Sequence, residues 1–327
     1  MKKNSCLCTV QKALASTLVV GALFAWCATA NAYQQIYFEG FGGIGDPLSM
    51  TMEDSLNNET WLANGFATDN GVLNVVPTNM EGAATLPITL VTNAVYTVEM
   101  DVTSNAAEWI GIGFSENSPF VNMAGVVPPN RPADRFTQSS GRAWMLYRPG
   151  EVGANALAMQ VEIFGGGSGG NGTSNPIPDV DTDFSGPTPV PRTLTVVVNT
   201  KPAGFTADFM IDGVSQTMSG GAQPLFEDGT NTMMDGTIPL TDVNLLDNVG
   251  FTWEGQSPMN MAGAITVDNF SVSVALLGDV NQDGVISFAD LSPFLSLISS
   301  GGFQLEADVN CSGTVDFADI SPFISLL

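Results

Sequence analysis

Apolar and polar residues alternate along several short stretches of the chain between residues 33 and 275. The clearest of these stretches are 96–102, 158–164, 193–198 and 265–274. Alternation at a period of two predicts half-buried β-strands, and the β-branched and aromatic residues in these stretches favour the same structure. Asp212-Gly213 follows one apolar run and predicts a tight hairpin turn. Because this region has no sustained helical period, the pattern predicts one large antiparallel β-sandwich.

Two long stretches interrupt the strand pattern. Residues 123–141 and 165–191 are rich in Gly, Ser, Asn, Asp and Pro, which predicts long loops. Such loops are either solvated connections between strands or the rim of a ligand-binding face.

The first 32 residues have the pattern of a signal peptide. Lys2, Lys3 and Lys12 precede or flank an apolar run, and Ala30-Asn31-Ala32 is typical of a cleavage site. We therefore expect the mature protein to begin at Tyr33 and to be secreted, either extracellular or on the cell surface. A retained membrane anchor is the alternative for this segment, and no other stretch is long enough to span a bilayer.

Charge and composition exclude several classes of catalysis, metal site and binding partner. The chain has 33 acidic residues, 9 basic residues and no histidine, so its net charge is −24. Histidine-dependent catalysis and histidine-ligated zinc are excluded. Nucleic acid and anionic membranes are poor partners for so acidic a chain, whereas divalent cations are good ones. Only Cys311 of the four cysteines lies after residue 32, so the mature chain has no intramolecular disulfide.

The strongest motif is a duplication at the C-terminus. Residues 279–298 and 308–327 align without gaps, 29 residues apart, with 12 of 20 positions identical. Each copy begins with a stretch that has oxygen-bearing residues at positions 1, 3, 5 and 12 and glycine at position 6, the spacing of a calcium loop. The predicted ligands of two calcium ions, in which Val285 offers its main-chain carbonyl, are Asp279, Asn281, Asp283, Val285 and Asp290, and Asp308, Asn310, Ser312, Thr314 and Asp319.

The two loops differ in charge. Ser312 replaces the position-5 carboxylate of Asp283, although Asp316 adds one at position 9. Because calcium affinity follows ligand charge and rigidity, we expect the second site to bind more weakly. The alternative for either loop is an acidic turn without metal.

A short helix is predicted after each loop. The apolar stripes that predict these helices are Phe288, Leu291, Phe294, Leu295 and Ile298, and Phe317, Ile320, Phe323, Ile324 and Leu327. Two helices of this length cannot bury all of these side chains between them. Part of the apolar surface should therefore be left over, and Phe288 and Phe317 are the candidate partner-binding residues.

This duplicated loop-helix pattern resembles a type I dockerin over residues 276–327. The resemblance implies a small α-helical domain that binds two calcium ions and attaches the protein to a cohesin-like or other cell-surface protein. Positions 10 and 11 are Phe288-Ala289 and Phe317-Ala318, and the segment lacks the Lys or Arg pair that is typical of the family. A calcium-stapled cap on the preceding domain is the alternative.

The body, residues 33–275, resembles concanavalin A-like lectin and glucanase sandwiches at 37–41, 209–213 and 267–270. The resemblance implies an antiparallel jelly-roll-type β-sandwich. An immunoglobulin-type or carbohydrate-module sandwich is the alternative fold. The corresponding function is non-catalytic glycan binding, so that polysaccharide is a candidate partner. A secreted polysaccharide-degrading glycoside hydrolase and a structural cell-surface protein are the competing functions.

Neither a catalytic pair nor a sugar-stacking residue can be assigned from the body sequence. Glu99 and Asp101 share one face of a strand, but position 104 is Ser where laminarinase-like glucanases carry a third acid. Glu162 is the remaining candidate for a second carboxylate. Four tryptophans, at positions 61, 109, 144 and 253, are expected to pack internally, with sugar stacking as the alternative. No catalytic residue is therefore predicted.

Overall fold

The structure of the protein is a computed structural model. It describes residues 34–42, 44–47, 61–64, 66–69, 71–75, 81–104, 109–116, 141–147, 161–164, 191–217, 220–227, 236–254 and 265–327. The predicted signal peptide and nearly all of the two predicted loops lie outside the described residues. The described residues form two compact units, one within Gln34–Leu277 and the other Gly278–Leu327.

The described residues of the first unit form two antiparallel sheets. The larger, ten-stranded sheet contains β1 (Gln34–Glu39), β2 (Ile44–Pro47), β4 (Phe66–Asp69), β5 (Val72–Val75), β7 (Ala94–Ser104), β11 (Arg192–Asn199), β12 (Thr206–Ile211), β13 (Val214–Ser215), β14 (Gln223–Pro224) and β16 (Ile265–Leu276). The six-stranded sheet contains β3 (Leu62–Asn64), β6 (Glu81–Pro87), β8 (Trp109–Ser115), β9 (Gly141–Tyr147), β10 (Val161–Phe164) and β15 (Asn248–Glu254).

Alternation along the strands places the core between these sheets. In β7 the side chains of Tyr96, Val98 and Met100 are buried, whereas Glu99 on the other face is exposed. Residues of both sheets form one continuous apolar cluster, so the unit is the predicted antiparallel β-sandwich. The predicted strands at 96–102, 193–198 and 265–274 are confirmed, as is the described end of 158–164.

The predicted hairpin at Asp212-Gly213 is also confirmed. These two residues join β12 to β13, with φ values of 51° and 75°. Positive φ at both central positions is the requirement of a type I′ turn, whose twist matches that of the strands.

A polar contact anchors the aromatic part of the core. The carboxylate of Glu39 is 3% exposed, accepting the backbone N–H of Phe41 at 2.8 Å and the indole N–H of Trp61 at 3.2 Å. Trp61 packs on Phe251 and Phe270, with ring centroids 5.3 and 5.1 Å away. A buried carboxylate is thus satisfied by donors that also fix the aromatic rings.

The second unit contains two helices, α1 (Leu291–Ser300) and α2 (Ile320–Leu326). Each follows a 3₁₀ turn, at Phe288–Asp290 and Phe317–Asp319, and a third 3₁₀ turn is Leu305–Ala307. None of the helices in the described part of the chain is both long and apolar enough to cross a bilayer.

The predicted apolar stripes of these helices are divided between buried and exposed side chains. Phe294 and Phe323 are buried, but Phe288, Phe317, Leu295 and Ile324 are exposed, whereas Leu297 and Leu326, absent from the predicted stripes, pack on the core. The 3₁₀ turn before each helix accounts for Phe288 and Phe317, because its tighter winding breaks the 3.6-residue period between these positions and the helix.

Candidate functional site

The first loop, Asp279–Asp290, is organised by its own carboxylates. Asp279 accepts the backbone N–H groups of Asp283 and Gly284, at 3.0 and 2.8 Å. Asp290 accepts those of Asn281 and Ser287, at 2.9 and 2.8 Å. The loop therefore closes on itself, with its first and last residues drawn in by backbone donors.

The second loop, Asp308–Asp319, repeats these contacts at the equivalent atoms. Asp308 accepts the backbone N–H groups of Ser312 and Gly313, at 2.9 and 2.8 Å. Asp319 accepts those of Asn310 and Asp316, at 2.9 and 3.0 Å. The duplication in the sequence is thus a duplication of local geometry.

Backbone conformation is repeated as well. Gln282 and Cys311 at position 4 have φ values of 60° and 55°, and Gly284 and Gly313 at position 6 have φ values of 84° and 86°. Glycine at position 6 adopts this left-handed region without steric cost, which allows the sharp turn that follows.

The carboxylates at both ends of each loop are buried within an acidic segment. Asp279, Asp290, Asp308 and Asp319 are 6%, 0%, 2% and 0% exposed, and the segment 278–327 contains 7 acidic residues and no Lys or Arg. In the described residues no three Cys, Asp or Glu side chains form a group that could hold a metal ion. A cation in either loop would therefore draw also on amide, hydroxyl and main-chain oxygens.

The apolar surface expected to be left over is present on the second unit. Phe288 and Phe317 are 77% and 79% exposed, and Leu295 and Ile324 are 49% and 58% exposed. Phe288 and Leu295 are seven residues apart and Phe317 and Ile324 repeat that spacing, so each copy presents an aromatic and an aliphatic side chain at equivalent positions.

Polar side chains link adjacent strands on the outer face of the larger sheet. The carboxylate of Asp101 accepts the hydroxyl of Thr193 at 2.7 Å and the side-chain amide of Asn269 at 2.9 Å. Glu99 accepts the hydroxyl of Thr195 at 3.1 Å. Glu99 and Asp101 therefore share a face, as predicted, within a ladder of hydroxyl and carboxylate groups. The side chain of Glu162 lies outside the described residues.

Several residues on the outer face of the smaller sheet are glycines. Gly250, Gly113 and Trp144 lie opposite one another on β15, β8 and β9. A Cβ on Gly111 would be 2.5 Å from the indole nitrogen of Trp144. Trp61 and Trp253 belong to the core as expected, whereas Trp144 is buried on this opposite face. The side chain of Trp109 is outside the described residues.

A charged contact lies beside the buried Tyr147 of β9. Arg192 donates to the carboxylate of Asp212 in an ion pair, and Arg192 also interacts electrostatically with Tyr147. Burial raises the pKa of Tyr147 strongly; the nearby Arg192 opposes the rise and Asp212 adds to it.

Comparison with known proteins gives distant structural similarity. No protein-family model matches the chain, and neither does any curated protein. Similar structures include an endo-1,3-β-glucanase from Streptomyces sioyaensis (11% identity, 76% of this chain and 98% of that chain, TM-score 0.37). Another is a Bacillus subtilis protein of unknown function with a galectin-like fold (12% identity, 75% of this chain and 98% of that chain, TM-score 0.40). A third is lectin II from Ulex europaeus (12% identity, 67% of this chain and 94% of that chain, TM-score 0.37).

Proposed function

We propose that the C-terminal unit binds two calcium ions, one in each loop, and that it attaches the protein to a partner when the ions are bound. The supporting observation is the burial of Asp279, Asp290, Asp308 and Asp319 in a segment without any basic residue. Burying a carboxylate without a positive partner costs several kcal/mol, on the order of the whole stability of a small domain. A divalent cation in each loop supplies the missing positive charge.

The atoms available to coordinate a metal in the loops suit calcium. All the predicted ligands are oxygen atoms, which a hard cation prefers, and they come from carboxylate, amide, hydroxyl and carbonyl groups. Each oxygen of Asp279 accepts one backbone N–H, and a carboxylate oxygen keeps a further lone pair for a metal. The same holds for Asp308. The backbone contacts therefore orient the ligands without using them up.

Isothermal titration calorimetry of the intact protein with calcium chloride tests this proposal, because it measures how many ions bind. We expect two ions to bind, and we expect Asp279→Ala to remove the first of them. Asp242→Ala, which removes an exposed acid from the sandwich, is the control and should leave both ions bound. A stoichiometry near zero in the unmodified protein would contradict the proposal.

Attachment is proposed to use Phe288 and Phe317. Their exposure supports this role, because large aromatic side chains are depleted from free surfaces and enriched at interfaces. Around them the segment is acidic, so the complementary partner has an apolar patch with a basic rim. A cohesin-like or other cell-surface protein is the proposed partner.

The attachment proposal is tested with purified surface proteins of the producing organism. The protein immobilised with calcium should retain one of them, and chelator should release it. Phe288→Ser with Phe317→Ser should abolish retention, whereas Phe303→Ser, which alters an exposed phenylalanine outside the duplicated positions, should not. Equal retention by the double variant would exclude this surface.

A second proposed function, non-catalytic glycan binding, concerns the sandwich. The ladder of Thr193, Asp101 and Asn269 supports it, because a fixed carboxylate can accept hydrogen bonds from sugar hydroxyls and a hydroxyl or amide group can donate to them. A glycan array probed with the intact protein should show binding that Asp101→Ala weakens and Asp242→Ala does not. Release of reducing ends from bound glycans would favour the hydrolase alternative instead.

Secretion is also a proposal, supported by the pattern of residues 1–32. N-terminal sequencing of protein recovered from the culture medium or the cell surface should give a chain that begins at Tyr33. A chain that begins at Met1 would contradict cleavage.

A further inference from the structure

The segment between the two loops is bonded to the beginning of the first loop. The side-chain amide of Gln304 donates to the carbonyl of Val280 at 2.9 Å. The carbonyl of Glu306 accepts the backbone N–H of Gly278 at 2.7 Å, and its carboxylate accepts the side-chain amide of Gln282 at 3.3 Å. Two residues of the connecting segment thus hold Gly278, which precedes the first loop, and Val280 and Gln282, which are its second and fourth residues.

The same segment leads directly into the second loop. Leu305–Ala307 form a 3₁₀ turn that is followed directly by Asp308, the first residue of that loop. The backbone N–H of Asp308 is shared between the carbonyls of Gln304 and Leu305, at 3.3 and 3.1 Å. The position of Asp308 is therefore fixed by the turn that also holds the first loop.

This bridge occurs once, although the loops occur twice. The residues of the first copy that align with Gln304 and Glu306 are Ala275 and Leu277, which have no polar side chain. Glu306 is 2% exposed, and its Oε2 accepts no hydrogen bond in the described structure. Burying an incompletely bonded carboxylate costs stability, so packing alone does not explain this residue.

We infer that Gln304 and Glu306 are positioning residues that couple the two loops, so that calcium in one loop raises the affinity of the other. The inference rests on the proposed calcium binding. An ion held by Asp308 orders the connecting turn, and the ordered turn holds Gly278 to Gln282 in place. The conformational entropy that the first loop must lose is then already lost. Coupling of this kind acts equally in both directions.

Two glycine amides report the loops separately. The backbone N–H of Gly284 donates to Asp279, and that of Gly313 donates to Asp308. An ion that draws on either carboxylate polarises the N–H bonded to it. The amide resonances of these glycines in the intact, isotope-labelled protein therefore follow the occupancy of each loop during a titration with calcium chloride.

Exchange of one residue between the loops tests the coupling. Ser312→Asp gives the second loop the position-5 carboxylate of the first, so the calcium midpoint of Gly313 should fall. If the loops are coupled, the midpoint of Gly284 falls with it, by about fivefold or more. Asp283→Ser makes the reverse exchange and should raise the midpoint of Gly313 by a similar factor.

Gln304→Ala distinguishes the bridge from simple attraction between charges. In this background both amides should still respond to calcium, but the midpoint of Gly284 should change less with Ser312→Asp, because only the contacts of Glu306 remain. Gln35→Ala, at an exposed glutamine of β1, is the matched control and should leave the response intact.

Two results would overturn the coupling while leaving calcium binding in place. One is a Gly284 midpoint that ignores Ser312→Asp in the native background. The other is an undiminished response in Gln304→Ala. If neither glycine amide responds to calcium at all, the proposed calcium binding itself fails, and the inference fails with it.

Discussion

Phe294 and Phe323 stack face to face in the C-terminal unit, with ring centroids 4.2 Å apart and an angle of 6° between the rings. They occupy the same place in the two copies of the duplicated sequence. Both are fully buried, and they join Val280, Val309 and Val315 in the small core of the unit. The duplication thus produces a core in which equivalent residues pack against each other.

The first prediction concerns this stacked pair. Phe294→Ala should destabilise the unit by about 3–5 kcal/mol, because a buried aromatic ring is lost and a cavity remains. Hydrogen exchange of peptides from 291–300 and 320–326 measures the effect. Phe317→Ala is the control, since that ring is 79% exposed and should change stability by about 0.5 kcal/mol or less. Equal protection in both variants would exclude Phe294 from the core.

The second prediction concerns metal removal. Without a cation, the buried carboxylates of both loops repel one another, so chelation should raise the exchange rates of α1 and α2 towards those of an unfolded segment. Strands of the sandwich should keep their protection in the same sample. Helices that stay protected in chelator would contradict calcium-dependent folding.

The two loops should also differ in their response to substitution. Asp279→Ala should weaken calcium binding by the first loop more than Ser312→Ala weakens binding by the second, because only Asp279→Ala removes a buried charge.

The third prediction concerns Cys311. It lies at position 4 of the second loop and is partly exposed. We expect a thiol reagent to label it in native, calcium-loaded protein. A protein that resists the reagent until it is denatured would show that the thiol is inaccessible.

The fourth prediction concerns a glycine of the smaller sheet. A Cβ at position 250 would lie 2.0 Å from the carbonyl oxygen of Ala84, and a backbone atom of a paired strand cannot move aside. Gly250→Ala should therefore cost about 3 kcal/mol or more in the free energy of unfolding. Gly221→Ala is the control, since nothing lies within 4 Å of its Cβ. Urea midpoints of both variants compare them, and similar midpoints would refute the close packing.

The fifth prediction concerns alkaline pH. Burial holds the pKa of Tyr147 above the value of about 10 in an unfolded chain. A group with a raised pKa contributes stability that is complete below the unfolded pKa and is lost as pH rises beyond it. The sandwich should therefore become less stable above about pH 10, and Tyr147→Phe should reduce that loss. Urea midpoints at pH 9 and pH 11 measure the difference, and an identical loss in both proteins would exclude Tyr147 as its source.

Sequence alone predicted the features that depend on neighbours along the chain. Alternation placed the strands at 96–102, 193–198 and 265–274, and Asp212-Gly213 placed a hairpin, because strand faces and turn conformations are local properties. The loops were predicted from the spacing of Asp279 and Asp290, and the structure brings both carboxylates onto backbone donors of their own loop.

Only the tertiary structure decided which apolar residues are buried. Phe294 and Leu295 lie in one predicted stripe, but Phe294 stacks on Phe323 of the other copy and is buried, whereas Leu295 is 49% exposed. Trp144 could not be assigned to a face from its own strand, because its position depends on Gly111 and Gly113 of the neighbouring strand.

The contacts of Gln304 and Glu306 with the first loop could not be predicted from the sequence either. Hydrogen bonds between residues 24 or more positions apart leave no periodic pattern in a sequence. The sequence determined the strands, the turns and the duplicated loops through short-range geometry. The choice of core, the covered faces and the bridge between the loops depended on packing between distant segments.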